Sequence, residues 1–260
     1  NKGGKDCDIL LMSATPIPRT LMLTVYGDMD ISKLVEKPLN RKDIVTLSKP
    51  EEKIEEILAF IKREINNGNQ VFWVCPLIEE SKKLDYSAAI DKYKFLSKKF
   101  DNKVGLIHGA MDKYEKDNVL NNFLNKSTNI LVSTTVIEVG IDFPNANIIV
   151  IENANKFGLS QLHQLRGRVG RGINQATCIL LYKKNLSDNA KKRIKILKST
   201  NDGFFIAEED MKLRGFGDVL GYQQSGVKDF KLADPVQHED LFKIAEENIK
   251  DIEYNESNFK

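Results

Sequence analysis

Cysteine, histidine and tryptophan are scarce in this chain of 260 residues, which holds three, three and one of them. Cys7, Cys75 and Cys178 lie far apart with no paired spacing. That excludes a disulfide framework and fits buried thiols in a reducing compartment. His108, His163 and His238 stand at no ligand spacing from a cysteine, so no metal site is expected. No apolar run approaches bilayer length and no charged-then-apolar leader opens the sequence, so a soluble, cytoplasmic protein without a membrane partner is expected. Charge of one sign is missing too: 39 basic residues face 37 acidic ones, a net +2 that neither demands nor forbids a polyanionic partner. Also absent are a G-x-x-x-x-G-K run followed by Ser or Thr and an acidic box for magnesium. Gly3, Gly4 and Lys5 are too short a stretch, with no preceding strand, to cradle phosphates.

What is present alternates. Near-continuous apolar runs at 44–47, 70–76, 103–108, 129–134, 147–152 and 177–182 read as strands. Between them, helices are expected from Pro50, with a stripe of Ile54, Ile57, Leu58, Ile61 and Ile65 ended by Gly68, and at 84–100, 113–125 and 159–167. A short strand at 7–12 followed by a proline-started helix to about 26 precedes an irregular connection. This pattern predicts an α/β fold, a parallel sheet flanked by helices. After Tyr182 the strands stop; helices at 187–200 and 204–213, separated by Asp202 and Gly203, lead into a glycine-rich loop and a last helix at 235–252. Trp73, inside an apolar run, reads as core rather than as a platform for bases.

The most informative stretch is 161–172, QLHQLRGRVGRG, where Arg166, Arg168 and Arg171 alternate with Gly167, Gly170 and Gly172. Guanidinium groups grip phosphate through a planar fork, and glycine lets the backbone approach a ligand. A merely solubilising Arg-rich helix is the alternative. Two further stretches stand in order before it: LLMSATPIPRTL at 10–21 and LVSTTVIEVGIDFPNA at 131–146. Together they resemble three ordered motifs of superfamily-two helicases: S-A-T, T-T-x-x-x-x-G-x-D and Q-x-x-G-R-x-G-R. PIPRTL, VCPLIEES at 74–81 and NDGFFIAEEDMKLRGFGDVLGYQQ at 201–224 narrow the resemblance to the RecG family of branched-DNA helicases. Transcription-repair coupling factors share PIPRTL and QLRGRVGR but carry another residue where this chain has His163.

The resemblance implies a RecA-like second helicase lobe over 43–184, the end of a first lobe with a linker over 1–42, and a helical hairpin and C-terminal helical element over 185–260. It implies that Arg168 and Arg171 reach the γ-phosphate of ATP held mainly, with Mg2+, by a first lobe, and that Gln164 arranges the nucleotide or its attacking water. Gly140 and Asp142 fall to the nucleotide, and His108, Ser133, Thr134 and Thr135 to the DNA backbone. Ser13, Thr15, Arg214, Gln223 and Gln224 fall to coupling hydrolysis with movement. Each has a plainer reading as a cap, turn or ion pair. Ala110 stands where the family's H-G-x-M carries a basic residue, with Lys113 near enough to substitute, and Phe216 stands where proline is usual. The partners implied are branched double-stranded DNA, an N-terminal wedge domain and the first lobe. Because the sequence opens just before S-A-T, it is expected to hold half an active site and to be inactive alone. The competing readings are a non-catalytic nucleic-acid-binding lobe and the motor of a coupling factor.

Overall fold

Six parallel strands organise residues 35–206, one of two compact units into which the chain divides. The strands are β1 (Val45–Pro50), β2 (Gln70–Val74), β3 (Val104–Ile107), β4 (Ile130–Ser133), β5 (Ala146–Ile151) and β6 (Thr177–Tyr182). They lie in the order β1-β6-β5-β2-β4-β3. The helices of the fold are α1 (Ile54–Asn66), α2 (Lys82–Lys99), α3 (Lys113–Leu124), α4 (Leu159–Arg166), α5 (Asp188–Ser199) and α6 (Gly203–Arg214). The computed structural model describes residues 10, 12, 32–36, 42–76, 82–134, 143–214, 241 and 244, the side chains of 82–86 excepted.

Strand alternation sorts the core onto two faces. Val71, Trp73, Ile130, Val132, Ile148, Val150, Ile179 and Leu181 join Ile57, Leu58 and Ile61 of α1 and Ala89 and Leu96 of α2 in one buried cluster. On the other face Phe72, Phe123 of α3 and Phe143 form a ring triad with centroids 5.3–5.7 Å apart. Every residue of β2 and β5 is buried, as the near-continuous apolar runs require of strands covered on both sides. The RecA-like expectation holds, and Trp73 is fully buried core, with the Lys92 ammonium 5.5 Å from its ring centroid.

Local chemistry sets the boundaries. Gly68, at φ +85°, turns the chain out of α1. Asp112 and Glu115 form a reciprocal capping box on α3, and the Ser187 hydroxyl caps α5 by accepting from Ala190 N–H. Two expectations need correction. β1 does not stop at Leu47 but runs to Pro50, paired with β6 through Tyr182. Proline is tolerated there because β1 is the edge strand among the described residues and its missing N–H faces none of them across the sheet. The separator before α6 is Thr200, Asn201 and Asp202, not Asp202 and Gly203. The Asp202 carboxylate accepts from Phe204 N–H at 2.8 Å, drawing Gly203 into the first turn.

The other unit comprises residues 1–34 and 207–260. Its described part is mainly the end of α6, where Lys212–Glu209 and Arg214–Asp210 form ion pairs of 2.8 and 2.9 Å.

Candidate functional site

Because all six strands are parallel, the sheet has one rim of strand C-termini and one of N-termini, about 13–20 Å apart for strands of this length. The sequence-predicted residues divide between them. At the C-terminal rim, Ser133 ends β4 and Thr134 follows it, while His108 follows β3 on the adjacent strand. Ser133 is buried and its carbonyl accepts from Cys75 N–H at 2.8 Å. Thr134 is 2% exposed, and its hydroxyl has no hydrogen-bond partner among the described residues. An unsatisfied buried hydroxyl costs about 1–3 kcal/mol, which a phosphate oxygen or a shifted backbone group would relieve. His108 opens a turn closed by Met111 N–H donating to its carbonyl, with Ala110 exposed at the tip. Lys113 is exposed at the first turn of α3.

The arginine segment leads to the opposite rim. α4 descends from the C-terminal rim, presenting Leu159, Leu162 and Leu165 to the core and leaving Gln164 exposed. Beyond its end, Gly170 takes φ +75° beside Ile44 and Ala176, which flank β1 and β6 at their beginnings. A Cβ on Gly172 would collide with the Pro144 carbonyl oxygen, just before β5. These close approaches hold 170–172 against the N-terminal rim and leave Arg171 exposed, with Arg168 half-buried above it. Two glycines are required here, one by conformation and one by space.

Arg166 departs from the phosphate-gripping pattern of its neighbours. It is 2% exposed, and its Nη1 donates to Leu197 O at 2.6 Å, Thr200 O at 2.8 Å and Thr46 Oγ1 at 3.3 Å. Those carbonyls close the C-terminus of α5, where the helix dipole favours a cation. Its Nη2 lies 3.0 Å from Nδ1 of His163. Since guanidinium only donates, that nitrogen must be unprotonated. Burial, reinforced by the Arg166 charge, lowers the His163 pKa to about 4. Burial likewise lowers the Arg166 pKa from its ordinary value. Arg166 therefore braces the segment that carries Arg168 and Arg171, tying α4 to β1 and α5.

A polar group at the C-terminal rim joins Cys75 of VCPLIEES to two residues, Lys92 and Glu152, that stand in none of the sequence motifs. Glu152, just past β5, receives the Lys92 ammonium at 2.6 Å and lies 3.7 Å from Cys75 Sγ, just past β2. These neighbours stand where the strand order reverses, with β2 between β4 and β5. Burial, with the Glu152 charge, raises the Cys75 thiol well above its ordinary pKa, and burial pushes Cys178 up to about 12. Both cysteines are free and buried. Of the coupling candidates, Arg214 pairs with Asp210 at 2.9 Å. Ser13, Thr15, Thr135, Gly140, Asp142, Gln223 and Gln224 lie outside the described residues. Among the described residues no group of His, Cys, Asp and Glu is placed to hold a metal ion, and no helix is long and apolar enough to cross a membrane.

A parallel sheet with hydroxyls on one rim and glycine-set arginines on the other defines the class. Residues 52–172 match the helicase conserved C-terminal domain, and the fold is that of a RecA-like second helicase lobe. Residues 200–260 match the C-terminal part of domain 3 of the ATP-dependent DNA helicase RecG. The chain is 52% identical over 235 residues to the RecG of Bacillus subtilis, covering 90% of this chain and 34% of that protein. It is 46% identical over 252 residues to the RecG of Thermotoga maritima, covering 96% and 32%. A RecG structure bound to a three-way DNA junction superposes with a TM-score of 0.70 and 44% identity, over 89% of this chain and 30% of that one. The chain belongs to the RecG family. It spans about a third of the length of these relatives.

Proposed function

We propose that this chain is the arginine-donating half of an ATP-dependent motor that moves on double-stranded DNA and remodels branched forms of it, such as stalled forks and Holliday junctions. The carrying observation is the arginine segment. Gly170 and Gly172 hold Arg171 at the N-terminal rim, and the buried Arg166 fixes the helix that delivers it. Phosphoryl transfer is catalysed mainly by positioning and by neutralising charge, so an arginine held this way supplies what the chemistry lacks. Arg168 and Arg171 meet the γ-phosphate, Gln164 orients the nucleotide or water, and Gly140 and Asp142 face the nucleotide. ATP and Mg2+ are carried mainly by the first lobe.

At the other rim His108, Ser133, Thr134 and Thr135 follow the DNA backbone. Hydroxyls and backbone N–H groups hold phosphodiester oxygens without reading sequence. Ser13, Thr15, Arg214, Gln223 and Gln224 couple the two events. In this reading 43–184 is the lobe, 1–42 leads into it and 185–260 is the translocation element, with a wedge domain supplying branch recognition. The protein acts in the cytoplasm.

The test is DNA-stimulated ATP hydrolysis by a full-length protein carrying this segment, wild type against Arg171→Ala. A loss of turnover of about a hundredfold or more with nucleotide binding kept is expected. Unchanged turnover would remove Arg171 from the mechanism and leave a nucleic-acid-binding lobe without catalysis.

A further inference from the structure

Positive charge is not spread evenly along this chain. Between 183 and 198 stand seven basic residues and one acidic one, whereas the whole chain sums to +2, so the remainder is net negative. Six of the eight charges belong to α5. Arg193 turns inward, donating to the carbonyls of Phe157 and Asn155 at 2.9 and 3.3 Å. Lys191, Lys195 and Lys198 instead line one side of a shallow groove between α5 and the β1–β6 edge of the sheet. Leu186 and Ile194 form its floor, and Ser48 and Tyr182 line its strand side. All three lysines are exposed. Lys191 pairs with Asp188 at 3.0 Å, while Lys195 and Lys198 pair with no carboxylate among the described residues.

We infer that this groove is a second nucleic-acid contact, taking a phosphodiester backbone along α5, separate from the hydroxyls at the ends of β3 and β4. Lys191 to Lys198 spans about 10 Å of helix, enough for roughly three phosphates at 3.4 Å of axial rise each. Ammonium groups bind phosphate as point charges and need no fork geometry. Protein-binding surfaces are, by contrast, depleted of lysine and built on aromatic or methionine anchors, and among the described residues that line the groove Tyr182 alone is aromatic. The groove lies at the opposite edge of the sheet from Ser133 and Thr134. From β1 to β4 is four strand spacings, about 19 Å, so the two contacts hold separate stretches of backbone. The inference rests on the proposed function only in taking DNA as the polyanion.

The experiment is equilibrium binding of a fluorescein-labelled duplex of arbitrary sequence to the 260-residue chain over a series of salt concentrations. Wild type is compared with Lys195→Ala/Lys198→Ala, with His108→Ala/Thr134→Val, and with Lys62→Ala/Lys98→Ala, an equal charge loss on the α1–α2 face. Neutralising Lys195 and Lys198 is expected to weaken binding by about tenfold at low salt and to flatten the log–log salt slope by about 1–2, with the control pair near wild type. Circular dichroism checks that the exposed substitutions leave the fold intact. A slope and affinity unchanged in the α5 variant, with loss confined to His108→Ala/Thr134→Val, would overturn this inference and leave the strand-end reading standing. Equal losses in the α5 and control variants would reduce it to bulk charge. Unchanged duplex binding with lost binding of a polyglutamate peptide would make the groove a dock for acidic protein. Wild-type chain that binds no duplex would sink both readings.

Discussion

Nη2 of Arg166 lies 3.0 Å from Nδ1 of His163, one turn back on the same helix, so a buried cation is held by an imidazole that must stay neutral. Folding thereby fixes the histidine's protonation state, and the rest of the guanidinium closes the end of α5.

Acid should act through this pair. The folded pKa of His163, about 4, lies below the ordinary 6.5, so the unfolded chain takes up a proton that the folded chain resists. The neutral histidine's contribution is fully present above pH 6.5 and is lost as pH falls toward 4. In His163→Gln, the dependence of urea-unfolding free energy on pH across that window should be shallower than in wild type. The difference should stay below the one-proton ceiling of about 1.4 kcal/mol per pH unit. Identical slopes would contradict the lowered His163 pKa.

Arg166→Ala should cost about 3 kcal/mol or more in urea unfolding, because it strands the Leu197 and Thr200 carbonyls and leaves a cavity. Arg166→Met, which refills the space, should recover part of that loss. Arg168→Ala, altering a half-buried side chain beside it, should change stability far less. Similar costs for Arg166→Ala and Arg168→Ala would remove the bracing role.

Two glycines make a paired test. Gly68 has open space where a Cβ would stand and only its φ of +85° to protect, so Gly68→Ala should cost about 1 kcal/mol. Gly172→Ala meets the backbone of Pro144, which has to move. A larger thermal destabilisation is expected there, together with reduced ATP turnover in a full-length protein. Equal shifts in melting temperature for the two variants would rule out the close approach.

Thr134→Val replaces an unsatisfied buried hydroxyl with a methyl of the same shape. Stability should hold or rise by about 1 kcal/mol, since no group among the described residues is left unpaired. If the hydroxyl turns to a phosphodiester, duplex affinity falls in the same variant. A marked loss of stability would mean that the hydroxyl has a structural partner.

Sequence periodicity places all six strands because residues such as those of β2 and β5 are buried on both faces and leave uninterrupted apolar runs. The arginine segment is equally legible as a string of types. Its division is not: nothing local distinguishes Arg166, which turns inward, from Arg168 and Arg171. The carbonyls that receive Arg166 lie 31 and 34 residues further on. The contact between Lys92 and Glu152 is invisible in sequence for the same reason, because strand order brings together what the chain keeps apart. Pro50 reads as a helix start, and it is one, the N-cap of the 3-10 turn Glu51–Lys53 that leads into α1; that it also ends β1 shows only in the pairing with β6.

The pairing of β1 also bears on how the protein is made. Among the described residues β1 bonds to β6 alone, and Val45 stands opposite Thr177. At a synthesis rate of about 5–20 residues per second, the earlier strand waits roughly 7–26 s for its only neighbour to emerge. During that interval Val45 and Leu47 belong to an open strand in a growing chain, exposed to any other unpaired edge nearby. The sheet is completed from its last strand back to its first.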